Sequence, residues 1–519
     1  MKKRFYWLLI IGLVVITYAC NEDTEPGTPP LEPPKITSID PTRGGAGTEV
    51  IITGRNFSST LSENEVTFNS VAATVVSATA TQIVAKVPFD ALTGKVVVTT
   101  SAGTASGPEF EYFLAPTILS LSPSFGPYNT VVSVMGNNVA PDGSGITIWF
   151  NDKEAEVVSR KSFQVEVRVP EGAGDGVVRV ETLGGSHEGP VFDYWQIGVV
   201  TTIAGDGTTG FQDGPGATAK FNFPTGMAVD ANDNVYVADR SNNRIRKITP
   251  DGNVSTLVGN GEETSVDGDL STARIRRPTG LCFGDDGTLY FTESTGGRVR
   301  KITAEGQVTT IAGLGTAGYL DGAAADAQFN FPTGIAIDSK GNLFVGDFGN
   351  NCVRKIANGQ VTTFAGTLDM GTTDGTGSEA RFSAPNYIVI DADDNLFVSE
   401  NLNHRIRKIT PSGDVTTIAG SIEGSDDGPA ASATFRFPYG LAFDNEGQLL
   451  IVDGSNNSIR MLDKDNNVRT VAGGGIPGWE DGEWLAAQFD LPNGIAVNSK
   501  GEFFVGDRTQ RVVRKIVLK

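Results

Sequence analysis

The stretch Pro224-Thr-Gly-Met-Ala-Val-Asp-Ala-Asn-Asp-Asn-Val-Tyr-Val-Ala-Asp-Arg-Ser-Asn-Asn-Arg-Ile-Arg-Lys-Ile248 decides the fold, because it contains three short strand-like segments separated by turn residues. The segments are residues 227–229, 234–238 and 244–248, and a fourth follows at 254–258 after a Pro-Asp-Gly turn. No helical period is sustained between them. The unit therefore predicts four short antiparallel strands, here named a to d in chain order.

This unit recurs along the second half of the chain. Its anchor is a Pro-x-Gly step or a variant of it, and successive anchor prolines lie 54, 54, 53, 53 and 54 residues apart. A fixed period of this size is typical of a repeat architecture. Six units of four strands predict a six-bladed β-propeller over residues 199–519. The anchors are Pro224, Pro278, Pro332, Pro385, Pro438 and Pro492.

The two ends of the repeat region are complementary. The strand-d sequence Val200-Thr-Thr-Ile-Ala-Gly205 stands before the first anchor, whereas the last unit stops after strand c, at residues 514–519. An open sheet edge exposes unpaired backbone groups. We therefore expect the segment 199–205 to supply the missing outer strand of the last unit and so to close the propeller.

Two segments before the repeats resemble each other. They open with Pro34-Lys-Ile-Thr-Ser-Ile-Asp-Pro41 and Pro116-Thr-Ile-Leu-Ser-Leu-Ser-Pro123, and each continues as short β-rich stretches between Gly and Pro turns. About 80 residues of this kind predict an Ig-like β-sandwich. The predicted fold class is therefore all-β, with two sandwiches, at 35–113 and 115–195, before the propeller. We expect both to be spacers, and His187 to lie in a solvated loop.

The N-terminus predicts an export signal. The basic residues Lys2, Lys3 and Arg4 precede the uncharged run 5–19, which is shorter than the ~20 residues that span a bilayer. Residues 1–19 therefore resemble a signal peptide. Ala19 directly before Cys20 resembles the lipobox of bacterial lipoproteins, which implies that Cys20 is acylated.

The segment after the cysteine predicts a tether and a cellular location. Residues 20–34 are first acidic and then rich in proline, a composition typical of a stiff, extended linker. An acidic cluster directly after a lipidated cysteine resembles the export signal of surface lipoproteins in Bacteroidetes-like bacteria. This resemblance implies an outer-membrane protein that faces the exterior and touches the membrane only through its lipid anchor.

Composition excludes several function classes. The formal net charge is −20, with 41 Lys and Arg against 61 Asp and Glu, and so acidic a chain argues against a nucleic-acid partner. Two histidines argue against multi-histidine metal chemistry, and three cysteines cannot form a disulfide framework.

Two family resemblances follow from these motifs. The pattern P-x-G-[IL]-A-[VI]-D, followed by [LV]-[FY]-V-[AG]-D-x-x-N-x-x-[IV]-R-K-I, resembles the NHL repeat over residues 199–519, with departures that include Gly284 and Tyr387. The opening P-x-I-x-S-[IL]-x-P and the later V-x-[IV]-x-G resemble IPT/TIG domains. The chain thus resembles an NHL-repeat β-propeller lipoprotein with tandem IPT/TIG domains, of Bacteroidetes type.

An acid at the end of strand b and an arginine in strand c occur in every unit. Because a role repeated six times is normally structural, we expect these residues to form a hydrogen-bonded framework. The alternative is a ring of acids that holds a cation in the channel. The acids are Asp239, Glu293, Asp347, Glu400, Asp453 and Asp507, and the arginines are Arg246, Arg300, Arg354, Arg407, Arg460 and Arg514.

The positions that differ among units are the candidate ligand-binding positions. Aromatic residues stand at several of them, beside Thr and Asn residues that follow the anchor prolines. Rings that stack on C–H faces, together with hydrogen-bonding side chains, suit a sugar. The alternative is that these rings pack on neighbouring units. The candidates are Phe211, Tyr319, Phe348, Tyr439, Trp479 and Trp484.

The sequence therefore predicts binding of an extracellular ligand on the loop face of the propeller. The resemblance to the family and the predicted cell-surface location favour a glycan. A propeller hydrolase or lyase with a channel-bound cation, for which calcium is the candidate cofactor, is the first alternative, and a protein-interaction scaffold is the second. No catalytic residue and no metal ligand can be assigned. His404 has no evident catalytic partner, and we expect Cys282 and Cys352 to be neutral thiols.

Overall fold

The computed structural model describes residues 31–141 and 145–519. The predicted signal peptide, Cys20 and the tether up to residue 30 lie outside the described residues. Within the described part of the chain, no helix combines the length and the apolar character needed to cross a membrane. Strands dominate, as the sequence predicts for an all-β chain, and the short 3-10 helices span Leu61–Glu63, Gly216–Thr218, Arg240–Asn242, Phe348–Asn350, Gly377–Glu379, Gly454–Asn456 and Trp484–Ala486.

Contacts between residues divide the chain into two compact units. Among the described residues, the first comprises those up to Ser124 together with Val131–Arg168 and Asp175–Phe192. The second comprises Phe125–Thr130, Val169–Gly174 and Asp193–Lys519. Each unit is described by itself.

The first sandwich contains two sheets, with strand orders β1-β3-β7-β6 and β2-β9-β8-β4-β5. Its core includes the fully buried Val50, Ile52, Phe68 and Phe110, and the last two rings meet edge to face with centroids 5.2 Å apart. The strands β1 to β9 are Lys35–Asp40, Arg43–Gly44, Glu49–Arg55, Glu65–Phe68, Val71–Ala72, Thr74–Ala78, Gln82–Lys86, Gly94–Thr100 and Gly103–Tyr112.

The second sandwich repeats this design, with strand orders β10-β12-β16-β15 and β11-β18-β17-β13-β14. The rings of Phe150 and Phe192 form its edge-to-face pair, at 5.0 Å. The strands β10 to β18 are Thr117–Ser122, Phe125–Pro127, Val131–Asn137, Ile146–Phe150, Lys153–Glu154, Glu156–Lys161, Gln164–Arg168, Gly176–Thr182 and Gly185–Trp195.

The expectation that His187 lies in a solvated loop is wrong. His187 lies within β18 and is half-buried. Its Nδ1 accepts a hydrogen bond of 3.2 Å from the Ile118 amide, so the imidazole serves as a backbone acceptor. The Gly-rich turn that suggested a loop ends before the histidine.

Residues 198–519 form six five-stranded sheets, numbered one to six by their anchor prolines and together called the ring. Sheets one to three contain β20 to β34, which are Gly214–Pro215, Pro224–Val229, Val235–Asp239, Arg244–Ile248, Asn253–Val258, Gly268–Asp269, Pro278–Phe283, Leu289–Glu293, Arg298–Ile302, Gln307–Ala312, Gly322–Ala323, Pro332–Ile337, Leu343–Asp347, Cys352–Ala357 and Gln360–Gly366.

Sheets four to six contain the remaining strands. Strands β35 to β48 are Gly375–Thr376, Pro385–Ile390, Leu396–Glu400, Arg405–Ile409, Asp414–Ala419, Gly428–Pro429, Pro438–Phe443, Leu449–Asp453, Ser458–Leu462, Asn467–Ala472, Gly482–Glu483, Pro492–Val497, Phe503–Asp507 and Val512–Leu518, and sheet six also includes β19, Gly198–Ala204.

Each sheet has one strand more than the four that the sequence predicts. The extra strand is a two-residue segment that begins at the glycine of each Asp-Gly step, such as β20, which pairs with the outer strand β24 through Gly214 and Val254. It was not predicted because two residues are too short to show an alternating pattern. The short strand covers the outer edge of the sheet, which would otherwise be open.

The strands that begin at the anchor prolines, here called the inner strands, contact one another around a closed cycle. They are β21, β26, β31, β36, β41 and β46, and β46 contacts β21. A Cβ at Gly226 would lie 1.9 Å from the Thr279 carbonyl oxygen, and one at Gly494 would lie 1.9 Å from that of Thr225. Glycine is therefore required at these two positions, because the backbones of adjacent inner strands approach so closely there.

Strand β19 closes sheet six. It pairs antiparallel with β48, with Val200 opposite Ile516 and Thr202 opposite Arg514. Both Val200 and Ile516 are buried in one hydrophobic cluster. This pairing of β19 with β48, the first and last strands of the ring, is the closure that the sequence predicts.

A fully buried arginine on strand c, the middle strand, holds each sheet together. In sheet three, Arg354 Nη1 donates to Asp347 at 2.8 Å and to the Gln328 carbonyl at 3.0 Å, and Nη2 donates to the Leu320 carbonyl at 2.9 Å. Arg354 also pairs with Asp321. The other five sheets repeat these ion pairs. The repeated acids and arginines therefore form the framework that the sequence predicts.

Candidate ligand-binding cavity

A cavity of about 350 Å³ lies where the six sheets meet. Every sheet contributes to its lining, so we call it the axial cavity. Three places in the repeat supply most of it. They are the residue before the anchor proline, the residues after it, and the start of the turn after strand b. The lining residues are Phe223, Thr225, Arg240, Thr279, Gly280, Ser294, Phe331, Thr333, Phe348, Asn386, Tyr387, Asn401, Leu402, Phe437, Tyr439, Asn493 and Arg508.

The lining differs from one sheet to the next. The residue after the anchor proline is Thr in sheets one to three, Asn in sheets four and six, and Tyr in sheet five. The first residue of the turn is Arg, Ser, Phe, Asn, Gly and Arg in sheets one to six. The framework arginine and acid, in contrast, recur in all six sheets. The cavity is therefore an asymmetric surface on a symmetric frame, as a site for a single asymmetric ligand requires.

Aromatic side chains form much of the cavity wall. Phe223, Phe331 and Phe437 directly precede anchor prolines, with φ angles of 66°, 53° and 51°. All six residues at this position have a positive φ, so this backbone conformation is a feature of every repeat and is not specific to the cavity. Phe348 and Tyr439 add two more rings to the lining.

Tyr387 takes the place of the anchor glycine in sheet four. Its hydroxyl donates a 3.1 Å hydrogen bond to Asn493 Oδ1 of sheet six, so the side chain extends past sheet five. Burial raises the pKa of the Tyr387 phenol above its ordinary value, and Tyr439 adds to the increase. Tyr387 is therefore a neutral phenol in the lining of the cavity.

The polar groups of the lining fall into two sets. Thr225 donates to the Ala238 carbonyl at 3.3 Å, and Thr333 donates to the Asn386 carbonyl at 2.8 Å, so these hydroxyls join strands of the frame. Asn401 is different, because it is 3% exposed and its Oδ1 has no hydrogen-bond partner among the described residues. A buried carbonyl oxygen without a donor is costly. A ligand hydroxyl or N–H group in the cavity would supply that donor.

Two arginines add positive charge to the lining. The guanidinium carbons of Arg240 and Arg508 lie 5.4 and 4.8 Å from the centre of the Phe223 ring. Burial lowers the pKa of Arg240, nearby Arg277 and Arg508 lower it further, and Glu263 opposes the effect. The cavity therefore combines aromatic surface, an unpaired amide oxygen and cationic groups.

The structure brings together only two of the six residues that the sequence singled out. Phe348 and Tyr439 both line the axial cavity. Phe211, Tyr319 and Trp479, which lie before Asp-Gly steps, and Trp484, which follows one, do not line it. Phe211, Tyr319 and Trp479 are 43%, 40% and 41% exposed, so they lie at the protein surface, away from the axial cavity.

Tyr319, Trp479 and Trp484 each have a partner on an outer strand, and Phe211 has a partner on the adjacent strand β23. The Arg244 guanidinium lies 3.7 Å from the centre of the Phe211 ring. The Tyr319 hydroxyl lies 2.9 Å from Thr363 Oγ1. Trp479 Nε1 donates to Thr202 Oγ1 at 2.8 Å, and Trp484 Nε1 donates to the Thr470 carbonyl at 2.9 Å.

Sequence reasoning missed several residues of the cavity. Phe223, Phe331 and Phe437 directly precede anchor prolines, where the repeat pattern alone gives no sign of a ligand site. Arg240 and Arg508 directly follow the acid at the end of strand b. Aligning these two positions across the six units shows residue types that vary, which is the signal that could have identified them.

The other reactive side chains have structural roles. His404 Nδ1 accepts a 3.2 Å hydrogen bond from the Phe437 amide, and Asn351 Oδ1 accepts the equivalent bond from the Ala384 amide. Burial raises the pKa of the Cys282 thiol to about 12 and that of Cys352 further, so both thiols are neutral. Within residues 31–141 and 145–519, no three His, Cys, Asp or Glu side chains are grouped closely enough to hold a metal ion.

Comparisons with known proteins match the two kinds of module. A family model for the IPT/TIG domain matches residues 34–112 and 116–194, and one for the NHL repeat matches residues 221–248 and 329–356. Protein SUPPRESSOR OF QUENCHING 1, chloroplastic, from Arabidopsis thaliana is 28% identical over 298 residues, covering 52% of this chain and 28% of that protein. NHL repeat-containing protein 2 from Bos taurus is 29% identical over 320 residues, covering 53% of this chain and 44% of that protein.

The chain thus spans less than half the length of these curated relatives. Among solved structures, a protein of unknown function from Bacteroides thetaiotaomicron is 24% identical, with a TM-score of 0.51 over 78% of this chain and 98% of that chain. This likeness shows a shared fold.

Proposed function

For this chain, which combines two IPT/TIG domains with NHL repeats, we propose a lipid-anchored cell-surface protein that binds an extracellular glycan in its axial cavity. In this proposal, the six sheets are the blades of a β-propeller, and the two Ig-like sandwiches at 35–113 and 115–195 hold it away from the membrane. Cys20 carries the lipid and places the protein on the outer face of the outer membrane.

The observation that carries the proposal is the asymmetry of the axial cavity. Phe348 and Tyr439 offer aromatic faces, on which the C–H face of a sugar ring stacks. The unpaired Oδ1 of Asn401 accepts a hydrogen bond, and a sugar hydroxyl donates one. A volume of about 350 Å³ falls within the range of small-ligand sites.

The test is affinity electrophoresis of the full-length protein in gels that contain one polysaccharide each. A Phe348→Ala/Tyr439→Ala variant removes two rings from the cavity. A matched Phe211→Ala/Tyr319→Ala variant removes two rings that lie at the outer strands, 43% and 40% exposed. Circular dichroism and thermal melting check that each variant is folded.

We expect at least one polysaccharide to retard the wild-type protein and the Phe211→Ala/Tyr319→Ala variant but not the cavity variant. Retardation lost only in the Phe211→Ala/Tyr319→Ala variant would move the site to the outer strands and refute the proposal. A protein that no polysaccharide retards would refute glycan binding altogether.

A further inference from the structure

The two arginines of the axial cavity, Arg240 of sheet one and Arg508 of sheet six, flank the same aromatic ring. Their guanidinium carbons lie 5.4 and 4.8 Å from the centre of the Phe223 ring, and that of Arg508 lies 5.7 Å from the centre of the Tyr439 ring. Both are half-buried. We call them the arginine pair.

The arginine pair has no carboxylate partner. Among the described residues, neither Arg240 nor Arg508 forms an ion pair, and Arg240 Nε has only a long bond of 3.4 Å to Ser294 Oγ. The six framework arginines, in contrast, all form ion pairs with buried acids. The nearby Glu263 is used by other arginines, and it lies 3.0 Å from Arg277 Nε.

Two cations near each other in a partly buried cavity repel each other and lose part of their hydration. This arrangement is unusual in a chain whose net charge is −20, because carboxylates are abundant. Cation–π contacts with Phe223 offset some of the cost. They leave the planar N–H groups of both guanidiniums available for an acceptor.

We propose that the glycan is acidic and that its carboxylate or sulfate group binds to the arginine pair beside Phe223. The guanidinium fork matches the paired oxygens of these anions, which is why arginine is favoured over lysine at such sites. A hydroxyl of the same sugar then donates to Asn401 Oδ1, whose lack of a partner is an independent sign of a ligand in this cavity. This inference rests on the proposed function and adds the charge of the ligand to it.

The test compares each acidic polysaccharide with its uncharged counterpart. Isothermal titration calorimetry with the full-length protein measures binding of polygalacturonate against its methyl ester, and of dextran sulfate against dextran. The first pair reports carboxylate recognition and the second reports sulfate recognition. We expect one acidic polymer to bind at least about tenfold more tightly than its neutral counterpart, which corresponds to about 1.4 kcal/mol.

The matched variants are Arg508→Gln and Arg298→Gln. Arg298 lies outside the axial cavity, and its Nη2 donates a long hydrogen bond to the Leu314 carbonyl, at 3.5 Å. We expect Arg508→Gln to weaken acidic binding at least about tenfold and Arg298→Gln to change it less than twofold. If Arg508→Gln melts at a lower temperature than the wild type, Arg508→Lys keeps the charge but removes the fork, and we expect it to weaken binding as well.

The outcomes separate the two proposals. Equal binding of acidic and neutral polymers, or equal losses in Arg508→Gln and Arg298→Gln, would overturn the acidic-ligand inference while glycan binding in the cavity stands. Failure of all four polymers to bind, in a protein that a neutral polysaccharide retards in gels, would overturn the inference alone. A protein that no polysaccharide retards would overturn both.

Discussion

The framework arginine of sheet three offers the most quantitative test of how the ring is held together. Arg354→Met keeps much of the side-chain volume but removes the 2.8 Å bond to Asp347, the pair with Asp321, and the donors to the Leu320 and Gln328 carbonyls. Arg354 and Asp347 are fully buried, whereas Asp321 is half-exposed. The loss therefore falls mainly on Asp347 and on the two carbonyls.

The expected magnitude follows from what the variant leaves behind. Asp347 retains hydrogen bonds from Asn350 Nδ2 at 2.8 Å and from the Asn330 amide at 2.7 Å, but its charge is unpaired. Breaking a buried pair by removing one partner costs about 3–5 kcal/mol. We expect the free energy of unfolding of the ring to fall by that amount. Lys464→Met, at an exposed pair with Glu446, is the control, with an expected change of about 0–1 kcal/mol.

Urea unfolding followed by circular dichroism and by tryptophan fluorescence measures the change, provided that the two signals coincide in the ring transition. An Arg354→Met/Asp347→Leu variant removes the unpaired charge, so we expect it to recover part of the loss. The reasoning would be refuted by a loss below about 1 kcal/mol in Arg354→Met, or by a double variant that is no more stable than the single one.

Two further predictions concern a histidine and the closure of the ring. Burial lowers the pKa of His404, Arg436 lowers it further and Glu423 raises it, so the unfolded chain binds more protons and stability is lost as pH falls below about 6.5. Asn occupies the position of His404 in three other units. His404→Asn should therefore remove the part of the loss of stability between about pH 7 and 5 that is due to His404. An unchanged loss of stability would contradict this role. Ile516→Ala, in the closing strand, should cost about 2–5 kcal/mol of unfolding free energy, since Ile516 is fully buried. Val517→Ala, on the exposed face of the same strand, should cost less than about 1 kcal/mol. Equal losses of unfolding free energy in the two variants would argue against the closure of the ring by β19 and β48.

Much of the fold could be predicted from the sequence because the ring repeats. Six copies of the same spacing identify the anchor prolines, the buried arginines and their acids without knowledge of any contact. The missing outer strand of the last unit and the spare strand before the first unit predict the pairing of β19 with β48, which the structure contains. In each case a local pattern determines the structure.

The candidate site was harder to predict because it lies where six different sheets meet. Periodicity shows that Phe348 and Tyr439 differ from their counterparts, but it does not show that they face one cavity while Phe211 and Tyr319 face the outer strands. Tyr387 was visible as a departure from glycine, yet its bond to Asn493 joins residues 106 positions apart. Such contacts depend on the closure of the ring rather than on the local sequence.

The central claim is that the repeated residues build the frame and that the varying residues at the axis bind the ligand. A crystal structure of the full-length protein with an oligosaccharide of the polymer that it binds tests this claim most directly. The account predicts the sugar in the axial cavity, in contact with Phe348 or Tyr439 and with a hydroxyl at Asn401 Oδ1. A sugar bound to the outer strands near Phe211, or to either sandwich, would contradict it.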